Sequence, residues 1–382
     1  MANAADMAVL LQEIVRIPSV NPLQAGPKSG DDGETAVAEW MADRCAGLGA
    51  HVTLDDVLPG RPNVYARFDG STDRSIAIDV HLDTVGVEHM TDDPFDGRIE
   101  DDRVYGRGSV DTKATLAVLL EMLGEFRDAG EQPTPTVHLV GTISEEVGGL
   151  IGAMRYAEWL GETGTTLDQI IVAEPTMCAP VFGHKGGVGL QIVVHGIAAH
   201  SSKPHLGRNA INGAARIIAA LEAEQARLDT LTPLTVVGNG TVSVTTIAGG
   251  LAQNIVPDRC ELYAGRRLAP GEDPAVIFEQ LRAIVRDAAL PCEVDVELSY
   301  GRGSAAFYQD PSSPLVRGLA ELAGTEPETA TYGSNALKYP GVANEIVIFG
   351  PGSIDQAHKA VEWVDIAELD RAAGIYRQLL RR

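Results

Sequence analysis

Short apolar segments alternate with helical patterns in the first half of this sequence. Strands are predicted at residues 75–80, 136–143 and 169–172, and the leucine-rich segment 114–126 has the period of a helix. Because strands and helices that alternate in this way bury their apolar sides against each other, the pattern predicts an α/β domain.

The order of predicted elements changes after residue 180, where a glycine-rich stretch begins. The following segments are predicted as strand 188–195, helix 209–226, strands 241–248 and 259–267, helix 274–288 and strand 292–300. This is the βαββαβ order of a ferredoxin-like unit. Beyond residue 311 a helix, a strand at 345–349 and a last helix follow, as if the first domain resumed. The chain has 382 residues, which exceeds the size that a single hydrophobic core usually supports. We therefore expect one domain formed by 1–180 and 301–382 and a second domain inserted at 181–300.

The charge and composition of the chain disfavour several classes of partner. Thirty basic and 53 acidic residues give a net charge of −23, which repels nucleic acid and anionic membranes. No run approaches the roughly 18 apolar residues of a membrane span, and residues 1–20 predict an amphipathic helix rather than a secretion signal. The four cysteines are too widely spaced to indicate a disulfide framework or a thiolate metal site. We expect a soluble cytoplasmic protein without nucleic-acid or membrane partners.

Histidine and carboxylate side chains follow the predicted strands. His81 and Asp83 follow the first, Glu145 and Glu146 the second, and Glu174 the third. Open α/β sheets place their ligand sites at such strand ends. Taken singly, each has a structural alternative: an H-x-D pair can close a loop or cap a helix, and adjacent glutamates can form a solvated turn. As a set they indicate a site.

Two further residues extend this set. Asp111 follows a glycine-rich loop and precedes the helix at 114, so its structural alternative is a helix N-cap. His358 follows the glycine loop that ends the strand at 345–349. Together the residues supply nitrogen and oxygen ligands suited to two borderline divalent metals.

A two-metal site with one free carboxylate suits amide hydrolysis. Two metals about 3.5–4 Å apart can share a hydroxide that attacks the carbonyl, and can stabilise the tetrahedral intermediate. An uncoordinated carboxylate can move the proton from water to the leaving amine. Asp83 is expected to orient His81 by accepting its other ring proton. The absence of G-x-S-x-G, of a Gly-Lys dipeptide and of G-x-G-x-x-G at 183–189 argues against serine, nucleotide and dinucleotide chemistry.

Seven motifs in order resemble one family over nearly the whole chain. They are HLDTV, GRGSVDTKA, SEEVGG, AEPT, GIAAHSS, NIVPD and GPGSIDQAH. The sequence is thus similar to the acetylornithine deacetylase and succinyl-diaminopimelate desuccinylase family of dinuclear metallopeptidase-like amidohydrolases. The resemblance implies a mixed-sheet catalytic domain with an inserted ferredoxin-like lid and dimerisation domain. It also implies hydrolysis of a linear amide in an N-acylated amino acid.

The resemblance implies a role for each candidate ligand. One metal would be held by His81, Asp111 and Glu174, the other by Asp111, Glu146 and His358, and Glu145 would be the general acid/base. Zinc is the default metal, and cobalt and manganese accept the same ligands.

The resemblance also implies a homodimer in which His200, from the inserted domain, reaches a neighbouring active site and stabilises the oxyanion. Asn254, before V-P-D, and Arg267, on the next strand, would bind the substrate carboxylate, with Arg266 as the alternative if the register differs. Ser334 is a further substrate-binding candidate.

Two positions depart from the family pattern. Gly265 stands where the family often has an acidic residue, and Asn335 stands where it often has an aspartate. These departures do not affect the metal ligands, but they leave the identity of the substrate undetermined. Two alternatives follow: a dipeptidase or carboxypeptidase with the same metals, and a non-catalytic metal-binding dimer, against which the adjacent carboxylates Glu145 and Glu146 argue.

Overall fold

The computed structural model describes residues 3–30, 33–299 and 303–382. It divides into two compact units. The first comprises Met1–Phe182, Gln309–Glu328 and Ser334–Arg382, and the second comprises Gly183–Tyr308 and Thr329–Gly333.

The second unit is longer than the predicted insertion at 181–300, because it also includes residues up to Tyr308 and the segment Thr329–Gly333. Hydrogen bonds explain the difference. Phe307–Tyr308 pairs with Gly183–His184, and the Ala330 N–H donates to the Gly183 carbonyl at 2.9 Å. These contacts join distant positions, so no local pattern indicates them. The predicted end of the strand 292–300, at Tyr300, lies outside the described residues.

The described residues form eight α-helices: α1 (Ala4–Val15), α2 (Thr35–Gly47), α3 (Lys113–Ala129), α4 (Ile151–Thr163), α5 (Ala210–Asp229), α6 (Pro274–Ala289), α7 (Pro314–Ala323) and α8 (Ile366–Leu379). The helix predicted at 114–126 is α3, which ends where Gly130 adopts a left-handed conformation with φ 65°. Of the described helices, none has the length and apolar character needed to cross a lipid bilayer.

The strands of the first unit are β1 (His51–Leu58), β2 (Arg61–Phe68), β3 (Ser75–His81), β4 (Ile99–Glu100), β5 (Arg103–Tyr105), β6 (Thr136–Thr142), β7 (Leu167–Val172), β16 (Ala343–Ile348) and β17 (Trp363–Asp365). Six of them form a sheet in the order β1-β2-β6-β3-β7-β16. The four strands from β6 to β16 are parallel, and β1 and β2 are antiparallel to their neighbours. The predicted α/β class with a mixed sheet is confirmed.

The core of the first unit lies between this sheet and its helices. Every residue of β3 and β6 after the first is buried, as is typical of parallel strands covered on both faces. The helix α3 buries Leu116, Leu119 and Leu123 in the same cluster, and α1 and α8 pack against it. This packing holds the carboxyl ends of the parallel strands in place.

The strands of the second unit are β8 (Gly183–His184), β9 (Gly186–His195), β10 (Ala199–His200), β11 (Thr241–Gly249), β12 (Ile255–Val256), β13 (Arg259–Leu268), β14 (Glu293–Leu298) and β15 (Phe307–Tyr308). Four of them form an antiparallel sheet in the order β11-β13-β9-β14. Alternate residues of β9 and β13 are buried in one cluster with α5 and α6, so these helices cover one face of the sheet. The predicted βαββαβ order is confirmed.

Candidate metal centre

The candidate ligands meet at the carboxyl edge of the first-unit sheet. His81 is the last residue of β3 and pairs with Thr142, the last residue of β6. In the same sheet Asp79 pairs with Val172, the last residue of β7. Because the three parallel strands end at nearly the same level, the residues that follow them are brought together.

Asp111 lies between two histidines. His81 Nε2 is 2.9 Å from Asp111 Oδ1, and His358 Nε2 is 3.2 Å from Asp111 Oδ2. His358 Nε2 is also 3.0 Å from Glu146 Oε2. One carboxylate thus presents an oxygen to each imidazole, which is the arrangement expected of a group shared by two metals.

The remaining carboxylates complete the cluster. Ligand atoms of His81, Glu145 and Glu174 lie within 4.8 Å of one another, as do those of His81, Asp111 and Glu146. Within the described part of the chain, Glu174 Oε1 is buried and has no hydrogen-bond partner. An oxygen of this kind is costly to bury unless a donor or a cation satisfies it.

Carboxylates outnumber histidines in this cluster, and the pKa shifts follow from burial and from that excess. Burial raises the pKa of Glu145 and Glu174 well above the ordinary value, and the neighbouring carboxylates raise it further. Burial also acts to raise the pKa of Asp111, but hydrogen bonds from His358 and His81 hold it below its usual range. Hydrogen bonds to Asp111 and Glu146 raise the pKa of His358 to about 10. Protons therefore balance the acidic groups in the metal-free protein.

Two divalent cations fit this donor set. The carboxylates of Asp111, Glu145, Glu146 and Glu174 carry four negative charges when ionised, which two divalent ions balance while both histidines are neutral. Imidazole nitrogen and carboxylate oxygen suit zinc, cobalt and manganese.

The role of Asp83 differs from the one expected. His81 Nδ1 is 2.8 Å from the Asp83 backbone carbonyl and 3.8 Å from the Asp83 carboxylate, so the carbonyl orients the ring. The carboxylate instead accepts the N–H groups of Glu145 at 2.9 Å and Glu146 at 3.1 Å, and the Asn21 amide at 2.8 Å. The expectation that the Asp83 carboxylate orients His81 is corrected, because the carbonyl lies at hydrogen-bond distance from Nδ1 and the carboxylate does not.

The loop that carries Asp111 is held by a buried ion pair that sequence reasoning missed. Arg107 and Glu362 are each 1% exposed and form a salt bridge. Glu362 Oε1 accepts the N–H groups of Val110 at 3.2 Å and Asp111 at 3.4 Å. The only available signal was an arginine inside a glycine-rich motif, because its partner lies far along the chain.

The predicted substrate residues lie in both units. His200, Asn254 and Arg267 are exposed in the second unit, whereas Arg266 is 2% exposed and its guanidinium is 2.6 Å from Glu272. Ser334 is buried in the first unit and accepts the Ala336 N–H at 3.3 Å.

Comparison with known proteins identifies the family of this chain. The family model for Peptidase family M20/M25/M40 matches residues 77–382. The chain is 29% identical over 367 residues to an acetylornithine deacetylase of Aliivibrio salmonicida (strain LFI1238), covering 95% of each chain. It is also 29% identical over 398 residues to a probable carboxypeptidase of Aspergillus clavatus, covering 100% of this chain and 89% of that protein.

A solved structure has the same fold. An M20 family metallo-carboxypeptidase from Sulfolobus solfataricus matches with a TM-score of 0.79 at 21% identity, covering 100% of this chain and 99% of that chain. Since the family model spans most of the sequence, the chain belongs to peptidase family M20/M25/M40. It is a hydrolytic enzyme of the amidohydrolase and peptidase type, and the family resemblance inferred from the motifs is confirmed.

Metal binding is predicted to release protons. The pKa of His358 is raised to about 10 and that of His81 well above its ordinary value, so both rings are protonated near neutral pH in the metal-free protein. A metal must displace these protons, and its affinity should therefore rise with pH. Titration calorimetry with zinc in buffers of different ionisation enthalpy should show net proton release.

The control for this measurement is His138→Gln. Burial lowers the pKa of His138 to about 4, so that ring is neutral near pH 7 and should leave the proton count unchanged. A pH-independent affinity without proton release would contradict the assigned ligands.

Proposed function

We propose that this enzyme hydrolyses the linear amide bond of a small N-acylated amino acid, as a deacetylase or desuccinylase does, with two divalent metals. The observation that carries the proposal is the cluster of four carboxylates and two imidazoles at one sheet edge. Similarity to an acetylornithine deacetylase over 95% of the chain supports this substrate class.

The ligands divide into two sets that share Asp111. His81, Asp111 and Glu174 would hold one metal, and Asp111, Glu146 and His358 the other, with zinc as the default. When bound, the metals supply Lewis-acid polarisation of the scissile carbonyl and of the attacking water.

Glu145 is the proposed general acid/base. It groups with His81 and Glu174, whereas Asp111 and Glu146 are the carboxylates hydrogen-bonded to the imidazoles. In the metal-free protein, burial and neighbouring negative charge raise its pKa, which favours the protonated form. It would take the proton of the attacking water and deliver it to the leaving amine.

The reaction class is tested with a panel of N-acetyl, N-succinyl, N-formyl and N-carbamoyl amino acids and dipeptides. Metal-stripped protein restored with zinc, cobalt or manganese should release a free amino acid from at least one N-acyl substrate. Glu145→Gln should bind the same amount of metal but release no amino acid, because the substitution removes the carboxylate base and leaves the metal ligands in place. Turnover by Glu145→Gln would remove this residue from the mechanism.

A peptidase is the second candidate. Similarity to a probable carboxypeptidase over 100% of this chain favours it, and the same ligands serve a peptide bond. Cleavage of dipeptides alone in the panel would replace the deacylase proposal with this one.

The substrate carboxylate is assigned to Arg267 and Asn254, with Ser334 as a further contact. Neighbouring residues of a strand point to opposite faces of the sheet, so Arg266 and Arg267 have different surroundings. Arg266 is buried against Glu272, whereas Arg267 is exposed and forms no ion pair with any described carboxylate. Its planar guanidinium is therefore free to bind a carboxylate through two hydrogen bonds.

Replacement of Arg267 by alanine should raise KM about tenfold or more and change kcat little, because a carboxylate contact exists in both the ground and transition states. Steady-state kinetics on the best panel substrate test this. Arg266→Ala is the control, and it should lower Tm by leaving Glu272 unpaired. If KM rises only in the Arg266 variant, Arg266 and not Arg267 binds the substrate carboxylate.

His200 is proposed to stabilise the oxyanion of a neighbouring subunit in a homodimer. The Ser202 N–H donates to His200 Nδ1 at 3.1 Å, so Nδ1 is an acceptor and Nε2 is the nitrogen that carries the ring proton. The exposed ring thereby presents an N–H donor.

His200→Ala should lower kcat about 100-fold, the usual loss for one oxyanion donor, whereas His205→Ala in the same loop should not. Because His200 would act across subunits, mixing His200→Ala with Glu145→Gln should restore activity, since one site of the heterodimer is intact. Loss of kcat without restoration would place His200 within its own subunit's site, and unchanged kcat would exclude the role.

A further inference from the structure

The turn that carries Glu145 and Glu146 has an unusual set of hydrogen bonds. After β6 ends, four successive backbone N–H groups donate to side chains instead of to a neighbouring strand. The Ile143 N–H donates to Asn63 Oδ1 at 3.0 Å, the Ser144 N–H to Glu34 Oε1 at 3.2 Å, and the Glu145 and Glu146 N–H groups to the two oxygens of Asp83 at 2.9 and 3.1 Å. Side chains from distant segments therefore determine the path of this turn.

Ser144 is the residue at which the chain changes direction. Its φ is 58°, a left-handed conformation that a residue with a side chain adopts only when its surroundings impose it. Since Glu145 comes next, a change in this backbone angle would move the Glu145 carboxylate.

The ion pair between buried Glu34 and partly exposed Arg61 holds Ser144 at two points. Glu34 is completely buried and accepts the Ser144 N–H, while Arg61 Nη2 donates to Ser144 Oγ at 2.8 Å. The partners bind each other through two hydrogen bonds, with Arg61 Nε 2.7 Å from Glu34 Oε2. A buried carboxylate costs free energy unless its charge and lone pairs are satisfied, so loss of either partner would disturb the turn.

We propose that the Glu34–Arg61 pair positions the catalytic base by fixing the left-handed turn at Ser144. The inference rests on the proposed function, in which Glu145 is that base. Neither partner belongs to the metal-ligand groups, and both contact Ser144, so the pair acts on Glu145 through the residue that precedes it. A pair that only anchored α2 to β2 would affect stability and leave kcat unchanged.

Glu34→Gln tests the proposal, and Glu125→Gln is its matched control. Glu125 also forms a two-point pair, with Arg377 Nε and Nη2 at 2.9 and 3.1 Å, but it joins α3 to α8. Both variants should lower Tm. Only Glu34→Gln should lower kcat, by about 10- to 100-fold with little change in KM, because a shift of about 1 Å in a catalytic group costs that much.

Hydrogen exchange provides a readout that does not depend on activity. In metal-free Glu34→Gln, the amides of residues 143–146 should exchange at least about tenfold faster than in the wild type, since their local opening becomes easier. The Glu125→Gln protein should show wild-type exchange in this turn. If Glu34→Gln does not fold, Ser144→Ala removes only the contact with Arg61 and should lower kcat and speed exchange in the same direction, to a smaller extent.

Wild-type kcat and wild-type exchange at 143–146 in Glu34→Gln, or in Ser144→Ala if the first variant does not fold, would overturn the proposal. Glu145→Gln is measured in the same series. Turnover by Glu145→Gln shows that the base assignment has failed. If Glu145→Gln has no turnover while Glu34→Gln is fully active, only the positioning inference has failed.

Discussion

Parallel pairing of β3 with both β6 and β7 is the constraint on which the site depends. Parallel strands end at the same edge of a sheet, and β3 and β6 are buried on both faces, so their register cannot slip without exposing apolar side chains. The residues that leave the sheet there are His81, the two glutamates after β6, and Glu174. A single packing arrangement thus concentrates negative charge at one place.

That concentration of charge explains much of the surrounding structure. Buried carboxylates repel each other, and the metal-free protein compensates with protonated histidines and raised carboxylate pKa values. The loops that carry them are held by polar groups set further back. Glu362 with Arg107 binds the Asp111 loop, and Asp83 with Asn21 binds the turn after β6. Asn21, Asp83 and Glu362 each hydrogen-bond to neighbours in these loops, as buried polar groups require.

Sequence patterns predicted the elements that carry strong periodicity. The strand at 75–80 and the helix at 114–126 were located within a few residues of β3 and α3, because both are apolar with clear boundaries. The antiparallel pair β1 and β2 and the helix α2 were not indicated. Several of the polar residues that support the turn carrying Glu145, namely Glu34, Arg61 and Asn63, lie in that region.

The sequence by itself determined the fold class, the βαββαβ order of the second unit and which residues are candidate metal ligands, since periodicity and residue chemistry are local properties. Tertiary structure decided which oxygen faces which donor. It assigned the His81 ring to the Asp83 carbonyl, the Asp83 carboxylate to two backbone amides, and Arg266 rather than Arg267 to an internal ion pair. Hydrogen bonds and ion pairs depend on distances of a few tenths of an ångström between groups far apart in the chain, and only the packed structure sets those distances.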